Sequence, residues 1–264
     1  MEQAERIQRL IDYLLEEEPQ YRFLAAQFPR DPKNQRRLLR SLMNLRFPDK
    51  ELSASFLRIQ DALLQEELRE KGTVSIAEMT PASKDPHSFL WQGDITRLNV
   101  DAIVNAANAQ MLGCFVPCHG CIDNAIHSAA GLQLREECAE IMRLQGHEEP
   151  TGSAKITRAY NLPCKYVIHT VGPIVRGRVT HEEEELLADC YRSCLELAEK
   201  NGVTSIAFCC ISTGEFHFPN RRAAEIAVES VAAYRKRTGS DINVIFNVFK
   251  DVDLKIYMEL LNIS

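Results

Sequence analysis

Residues 105–131 read NAANAQMLGCFVPCHGCIDNAIHSAAG. Within eight of these residues the chain places three cysteines and one histidine, at Cys114, Cys118, His119 and Cys121. Thiolate and imidazole are ligand types that zinc favours in proteins. A predicted helix follows at once, from residue 122 to residue 130, and carries Asp123 in its first turn. The segment therefore indicates a zinc-bearing active site in a loop that precedes a helix.

Around this loop, strands alternate with helices from residue 73 onward. Short apolar runs such as AIVNAA, YVIHTV and SIAFCCI are typical of strands covered on both faces, as in a largely parallel sheet between helices. The candidate strands are 74–78, 87–92, 102–106, 165–171, 204–211 and 242–249, and the candidate helices are 121–130, 132–145, 182–200, 219–237 and 252–262. Such sheets bind ligands beyond the carboxyl ends of their strands, where the loops 107–121 and 211–218 are expected to lie.

The first 72 residues follow a different pattern. Apolar residues at three-to-four spacing predict helices over 3–18, 33–46 and 51–70, with prolines between them. This segment has no cluster of candidate ligands. We therefore expect a helical N-terminal extension, residues 1–72, docked on an α/β domain of residues 73–264.

The distribution of charge limits the class of partner. Residues 1–72 carry 13 basic and 13 acidic residues, so the formal net charge of −6 belongs to residues 73–264. A net acidic domain is a poor generic binder of nucleic acid, because that affinity comes from neutralisation of phosphates by Lys and Arg. We expect no nucleic-acid partner, whereas a small anion held by backbone N–H groups fits the pattern.

Cysteine usage and hydrophobic segments predict the cellular location. All nine cysteines follow residue 113, and an odd number with adjacent Cys209 and Cys210 is not typical of a disulfide framework. The first residues, MEQAERIQRL, lack the features of a secretory signal. No apolar run approaches the roughly 20 residues that span a bilayer. We expect a cytoplasmic protein with no membrane partner.

Five motifs in order resemble the macrodomain family of ADP-ribose-binding proteins. They are GDIT at 93–96, NAAN at 105–108, DNAIH at 123–127, YVIHTVGP at 166–173 and ISTG at 211–214. The resemblance implies a three-layer α/β/α sandwich with a mixed central sheet. Many macrodomains have a run of glycines where this chain has CFVPCHGC, residues 114–121. In this respect it resembles microbial zinc-dependent macrodomains, which also have a helical N-terminal extension and remove ADP-ribose from modified proteins.

The resemblance implies Cys114, His119 and Cys121 as the zinc ligands. Considered by chemistry alone, four candidates could also form a closed Cys3His structural site, whereas three ligands leave a fourth position open for water or substrate. Cys118 directly precedes His119, and neighbouring side chains of an extended loop point apart, so both reach one metal only in a tight turn. This favours the open Cys2His site. A closed site and free structural thiols remain the alternatives.

The predicted ADP-ribose contacts lie at Asp94 and Ile95, within and just after the loop 107–121 (the cysteine loop), and in the loop 211–218 (the second loop). Asp94 resembles the aspartate that accepts the adenine amino group in macrodomains, with Ile95 beside it, although an aspartate here could equally cap a turn. Ile122 and Asp123 begin the helix after the cysteine loop. The second loop precedes a helix, so its N–H groups could cradle a diphosphate; it comprises Ser212, Thr213, Gly214, Glu215 and Phe216.

Asn108 and Asp123 are the predicted catalytic residues. Asn108 could bond a ribose hydroxyl or a backbone group of its own loop. We expect the open zinc position to bind a distal-ribose hydroxyl or the attacking water, which Asp123 orients or deprotonates. His127 and His169 lie in apolar periodic segments and are interpreted as core histidines satisfied by hydrogen bonds.

The predicted function is zinc-dependent hydrolysis of mono-ADP-ribose esters on Asp or Glu side chains of proteins. The resemblance suggests a lipoylated carrier protein modified by a sirtuin-type transferase as substrate. A non-catalytic ADP-ribose reader and an O-acetyl-ADP-ribose deacetylase are the main alternatives. A zinc deaminase matches the PCxxC segment at 117–121, but no HxE motif precedes it. A redox pair at Cys118 and Cys121 lacks the usual structural context.

Overall fold

The computed structural model describes residues 1–263. The helices are α1 Gln3–Glu17, α2 Arg22–Ala26, α3 Pro32–Leu45, α4 Ala54–Lys71, α5 Ile122–Ala130, α6 Leu132–Gln145, α7 His181–Lys200, α8 Asn220–Thr238 and α9 Asp251–Leu261. The strands are β1 Val74–Ser75, β2 Pro81–Ala82, β3 Asp85–Gln92, β4 Leu98–Asn99, β5 Ala102–Ala107, β6 Ala154–Arg158, β7 Tyr166–Val171, β8 Ser205–Phe208 and β9 Asn243–Val248.

The central sheet decides where the loops lie. Within residues 1–263 it has seven strands in the order β2-β3-β9-β8-β5-β7-β6. The five inner strands run parallel, whereas β2 and β6 pair antiparallel at the two edges. Because parallel strands end at the same edge of a sheet, the segments after β3, β5, β8 and β9 emerge together. The cysteine loop, the second loop and residue 94 therefore share one rim of the domain.

Helices cover both faces of this sheet. On one side α7, α8 and α9 pack side by side, with α7 on β6 and β7 and α9 on β3 and β9. On the other, α5 packs on β5 and α6 on β6. The core is built from fully buried residues of the inner strands, such as Ile103, Val104, Ile168, Ile206 and Val244. The predicted three-layer α/β/α fold with a mixed sheet and a helical N-terminal region is confirmed.

Several element predictions were wrong in detail. Residues 76–78 do not extend β1 but form a 3₁₀ turn, because Ser75 and Glu78 satisfy each other's backbone in a capping box. The short edge strands β2 and β6 and the helix α2 were not predicted. Such edge strands are exposed on one side and lack the continuous apolar run that marks the inner strands. Helix α4 begins at Ala54 rather than residue 51, since Ser53 is its N-cap.

The N-terminal helices form a second core that is shared with the α/β region. Helices α1, α3 and α4 bury Leu10, Leu39, Phe56 and Leu63 together, and Leu132 of α6 joins the same cluster. Helix α3 also contacts α5 directly. Helix α4 ends at Lys71 and β1 begins at Val74, so the helical region ends close to the predicted boundary after residue 72. That residue 72 is the limit of a domain stays a prediction. Among the helices of residues 1–263, none combines the length and the hydrophobicity that a membrane span requires.

A buried arginine joins the two regions. Arg135 of α6 is 3% exposed, and its Nη1 donates to the carbonyls that end α3, those of Met43, Asn44 and Arg46, at 3.0, 2.9 and 2.7 Å. Its Nε donates at 2.7 Å to the carbonyl of Leu112, in the cysteine loop. The last carbonyls of a helix have no partner inside the helix, so Arg135 satisfies groups that burial would otherwise penalise.

Replacing Arg135 by Met should lower the free energy of unfolding by about 3 kcal/mol, because it leaves buried carbonyls without a donor. Urea denaturation followed by circular dichroism measures the change. The matched control is Arg143→Met on the same helix, where an exposed ion pair with Glu140 is lost; its effect should stay within about 0.5 kcal/mol. Equal losses in the two variants would contradict the role given to Arg135.

Candidate functional site

The cysteine loop joins the carboxyl end of β5 to the amino end of α5. Its backbone enters the left-handed region at Met111, Gly113 and Cys118, with φ of 65°, 79° and 52°. A Cβ atom at Gly113 would lie 2.8 Å from the ring of His127, so only glycine fits there. The loop is therefore folded tightly over α5 rather than extended into solvent.

The loop brings three predicted zinc ligands together. The ligand atoms of Cys114, His119 and Cys121 all lie within 4.8 Å of one another, and Cys114 Sγ is 3.6 Å from His119 Nδ1. All three residues are partly exposed. Cys118 is not part of this group: its Sγ lies 3.3 Å from Ser41 Oγ and 3.5 Å from the carbonyl of Arg37, both in α3. The turn at Cys118 points its thiol away from His119 and toward the extension.

The chemistry of this donor set fits a zinc ion. Two thiolates and one imidazole are common zinc ligands, and three protein ligands leave a fourth position open. Burial and the neighbouring Cys114 raise the pKa of the Cys121 thiol to about 12, so a bound cation has to displace its proton. Cys121 is also the N-cap of α5, where its Sγ accepts from the N–H of Asn124 at 3.4 Å.

The second loop meets the cluster at His119. Glu215 Oε1 lies 3.6 Å from His119 Nε2, the ring nitrogen that faces away from Cys114. Metal-ligating histidines commonly have a carboxylate at their second nitrogen, which fixes the orientation of the ring. The Glu215 side chain therefore lies next to the candidate metal ligands, whereas its backbone N–H is part of the second loop.

The second loop presents unpaired backbone donors just before α8. In residues 1–263, the N–H groups of Gly214, Glu215 and Phe216 have no carbonyl partner. Thr213 Oγ1 donates to the carbonyl of Cys210, which closes the turn. Ser212 is 5% exposed with a φ of 65°, and its Oγ has no partner. A row of free N–H groups next to a helix N-terminus is an arrangement that binds anions.

Asp94 lies at the rim beside an exposed aromatic residue. Its Oδ1 accepts from the N–H and the hydroxyl of Thr96 at 3.1 and 2.7 Å, so it does cap a 3₁₀ turn, in which Ile95 is 1% exposed. Phe249 follows β9, next to the end of β3, and its side chain is 76% exposed. The exposed ring and the carboxylate thus follow neighbouring strands at the carboxyl edge of the sheet.

Asp123 is buried under the cluster. It is 5% exposed, and its Oδ1 accepts from Asn105 Nδ2 at 2.8 Å. Burial raises the pKa of Asp123 to about 6, against the opposing effects of the Asn105 hydrogen bond and the charge of Arg135. Within the described residues only Oδ1 of this carboxylate is hydrogen-bonded, and Oδ2 has no such partner. Ile122, the first residue of α5, is half-buried.

Asn108 is engaged by its own loop. Its Oδ1 accepts from the N–H of Gln110 at 3.0 Å, and its Nδ2 donates to the carbonyl of Gly113 at 3.3 Å. Both contacts shape the first half of the cysteine loop. Of the two predicted roles of Asn108, the structure shows hydrogen bonds to the backbone of its own loop. A catalytic role for Asn108 stays a prediction.

The two core histidines differ from each other. His169 is satisfied as predicted, by Asn105 at 3.2 Å and Thr157 at 3.0 Å. For His127 the predicted hydrogen bonds are wrong: both ring nitrogens lack a partner, and the nearest carboxylate oxygen, from Asp123, is 3.5 Å away. Burial lowers the pKa of both imidazoles, so both are neutral. They form a second cluster with Cys138, but it is fully buried and both nitrogens of His169 are already used.

Sequence reasoning missed the residues that support the site from outside. Phe249 could have been noticed as an aromatic directly after the buried run NVIFNV. Phe115 of the cysteine loop packs between the guanidinium of Arg135, 4.4 Å from its ring centre, and the ring of Phe47, at 4.6 Å. The contacts of Arg40 and Asn44 with the loop had no signal in the sequence.

Comparisons with known proteins place the chain in a family. A family model described as Macro domain matches residues 104–227. A protein-ADP-ribose hydrolase of Treponema medium is 54% identical over 264 residues, which cover 99% of this chain and 100% of that protein. Another, of Staphylococcus aureus strain MSSA476, is 51% identical over 226 residues, covering 85% of this chain and 84% of that protein.

Solved structures agree with this assignment. The Trypanosoma brucei macrodomain in complex with ADP-ribose has a TM-score of 0.65 at 33% identity, covering 84% of this chain and 94% of that chain. The Oceanobacillus iheyensis macrodomain with ADP has a TM-score of 0.60 at 39% identity, covering 66% of this chain and 90% of that chain. On sequence and fold together, the chain belongs to the Macro domain family.

Proposed function

We propose that this protein is a zinc-dependent hydrolase that removes mono-ADP-ribose from modified proteins. Relatives that match 99% and 85% of this chain are protein-ADP-ribose hydrolases, and a macrodomain of similar fold is known in complex with ADP-ribose. These support the activity at the level of ADP-ribose hydrolysis. The proposal goes further in two respects: it includes a requirement for zinc and an ester linkage to Asp or Glu.

One observation carries the proposal. The three ligand atoms of Cys114, His119 and Cys121 lie within 4.8 Å of one another, and Glu215 Oε1 of the second loop lies 3.6 Å from Nε2 of the same His119. A metal-binding donor set thus adjoins the loop whose free N–H groups suit a diphosphate. A module that only binds ADP-ribose gains little from an exposed three-ligand metal site at that position.

Cys114, His119 and Cys121 are the residues that would hold the zinc ion. Bound there, zinc would supply Lewis-acid polarisation of a substrate oxygen. Two thiolates balance the charge of a divalent cation, so the site suits a neutral hydroxyl or water better than an anion. Glu215, at Nε2 of His119, would keep the imidazole oriented.

The remaining residues bind and orient the substrate. The N–H groups of Gly214, Glu215 and Phe216 take the diphosphate, and Asp94 and Phe249 take the adenine. Asp123, held through Oδ1 by Asn105, uses Oδ2 to orient or deprotonate a ribose hydroxyl or the attacking water. Hydrolysis breaks the bond between the distal ribose carbon and the carboxylate oxygen of the modified protein. Water then supplies the hydroxyl of the released ADP-ribose, and the side-chain carboxylate is regenerated.

The alternatives differ in their products. A reader would bind ADP-ribose without releasing it from a protein, and a deacetylase would release acetate from O-acetyl-ADP-ribose. The lipoylated carrier protein, the sirtuin-type transferase and the cytoplasmic location stay predictions, because no contact within the chain identifies them.

Metal analysis should distinguish the ligands from the neighbouring thiol. The purified wild-type chain should contain about one zinc per molecule, Cys121→Ala should contain almost none, and Cys118→Ala should keep it, because the Cys118 thiol points to α3. Elemental analysis by mass spectrometry measures the content. Loss of zinc in Cys118→Ala to the same degree would support the closed Cys3His site instead.

Release of ADP-ribose tests the activity itself. Wild-type protein at catalytic concentration should liberate free ADP-ribose from a peptide modified on Asp or Glu, seen by mass spectrometry as loss of the modification over many turnovers. Chelation should abolish turnover, and added zinc should restore it. Cys121→Ala should lose turnover but still bind ADP-ribose in calorimetry. Full turnover by the chelated enzyme would remove zinc from the mechanism, and binding without release would identify a reader.

Phe249→Ala should weaken ADP-ribose binding by about 1–3 kcal/mol, the usual value of base–aromatic stacking. The matched control is Phe23→Ala: the two phenylalanines are each 76% exposed, but Phe23 lies in α2 of the extension. Calorimetric titration should show unchanged affinity for the control. Wild-type affinity in Phe249→Ala would mean that the adenine binds elsewhere.

A further inference from the structure

The tip of the cysteine loop is held at three backbone groups. Asn44 Oδ1 accepts from the N–H of Cys118 at 2.9 Å, and Arg40 Nη2 donates to the carbonyl of His119 at 3.4 Å. Both residues belong to α3 of the extension. From α5, Asn124 Nδ2 donates to the carbonyl of Val116 at 3.0 Å. Backbone groups 116, 118 and 119 are thus fixed by side chains outside the loop.

Asn124 is itself fixed by the same helix. Arg40 donates to Asn124 Oδ1 through both Nε, at 3.2 Å, and Nη2, at 2.6 Å. Asn44 Nδ2 donates to Ser128 Oγ, which in turn donates to Asn124 Oδ1, at 3.1 and 3.2 Å. Arg40 and Asn44, one turn apart on α3, therefore contact the loop directly. They also hold Asn124 of α5, which in turn contacts the loop.

The held segment decides where His119 lies. Cys118 has a φ of 52°, a left-handed conformation that a residue with a Cβ adopts only at a cost. Asn44, 2% exposed, supplies a buried acceptor for the N–H of this residue. A different conformation at Cys118 would swing His119 away from Cys114, and the donor set would no longer converge.

We propose that helix α3 of the extension is a structural component of the metal centre, with Arg40 and Asn44 as positioning residues that set its affinity for zinc. Neither residue supplies a ligand atom. A loop that is already folded loses less conformational entropy when it binds a metal, so its affinity is higher. The inference rests on the proposed zinc site and extends it to residues of the N-terminal region.

Arg40→Ala tests the inference, and Arg36→Ala is its matched control. Both arginines are half-buried on α3, one turn apart, and both line the same cavity of about 130 Å³ between the extension and α5. Arg36, however, pairs with Glu67 of α4 and, among the described residues, has no hydrogen bond to the loop. Competition with a chromophoric chelator measures the zinc dissociation constant of the full-length chain. Arg40→Ala should raise it about 10–100-fold, the usual effect of residues that support metal ligands, and Arg36→Ala by less than about 3-fold.

Asn44→Ala provides a second, independent variant with the same expected direction. Thermal melts of each variant stripped of zinc separate a positioning role from general destabilisation, because Arg40→Ala and Arg36→Ala should then melt at similar temperatures. Wild-type zinc affinity in both folded variants, Arg40→Ala and Asn44→Ala, would overturn the inference while leaving the zinc site intact. Failure of the wild-type chain to bind zinc would instead refute the zinc-dependent function proposed above.

Discussion

The hydrogen bonds of one buried guanidinium, that of Arg135, connect the N-terminal extension, α6 and the cysteine loop. Arg135 donates to the carbonyls that end α3 and to the carbonyl of Leu112 at the start of the cysteine loop. It also lies against the ring of Phe115 in that loop. A buried cation with several acceptors tolerates little displacement, because each lost bond leaves a desolvated polar group. The end of α3, α6 and the start of the loop are therefore held in one fixed arrangement.

The parallel sheet supplies the rest of the arrangement. Its inner strands end at one rim, which brings a soft donor set, a row of free N–H groups, Asp94 and the exposed ring of Phe249 to the same edge of the domain. Each suits a different part of a sugar nucleotide. The N–H groups suit an anion, the exposed ring suits a base, and the proposed zinc site, which would be nearly neutral in charge, suits a hydroxyl. The acidic net charge of residues 73–264 is compatible with the proposed diphosphate site, because that site uses backbone dipoles rather than lysines.

The sequence predicted the parts that depend on local pattern. The inner strands, the helix after Cys121 and the three-layer fold follow from apolar runs and from the order of five motifs. The edge strand β6 did not, because its residues alternate weakly and only pairing with β7 makes it a strand. The sequence predicted that both loops lie at the same edge of the sheet, but it did not predict that they meet at His119.

The contacts that support the site could not be read from the chain. Asn44 and Cys118 are 74 residues apart, and neither position has a pattern that suggests their pairing. The same is true of Arg135, which looks like an ordinary polar residue of an amphipathic helix. The hydrogen bond from Asn105 to Asp123, which holds this carboxylate at 5% exposure, likewise had no pattern in the sequence. Long-range hydrogen bonds of this kind depend on tertiary packing, which the periodicity of single elements does not encode.

X-ray absorption at the zinc edge of the freshly purified full-length chain tests the central claim most directly. It reports the number and type of atoms around the metal without any substitution. The account predicts two sulfur neighbours at about 2.3 Å and two nitrogen or oxygen neighbours at about 2.0 Å, one of them not from the protein. Three sulfur neighbours, or a chain that contains no zinc and still hydrolyses its substrate, would contradict it.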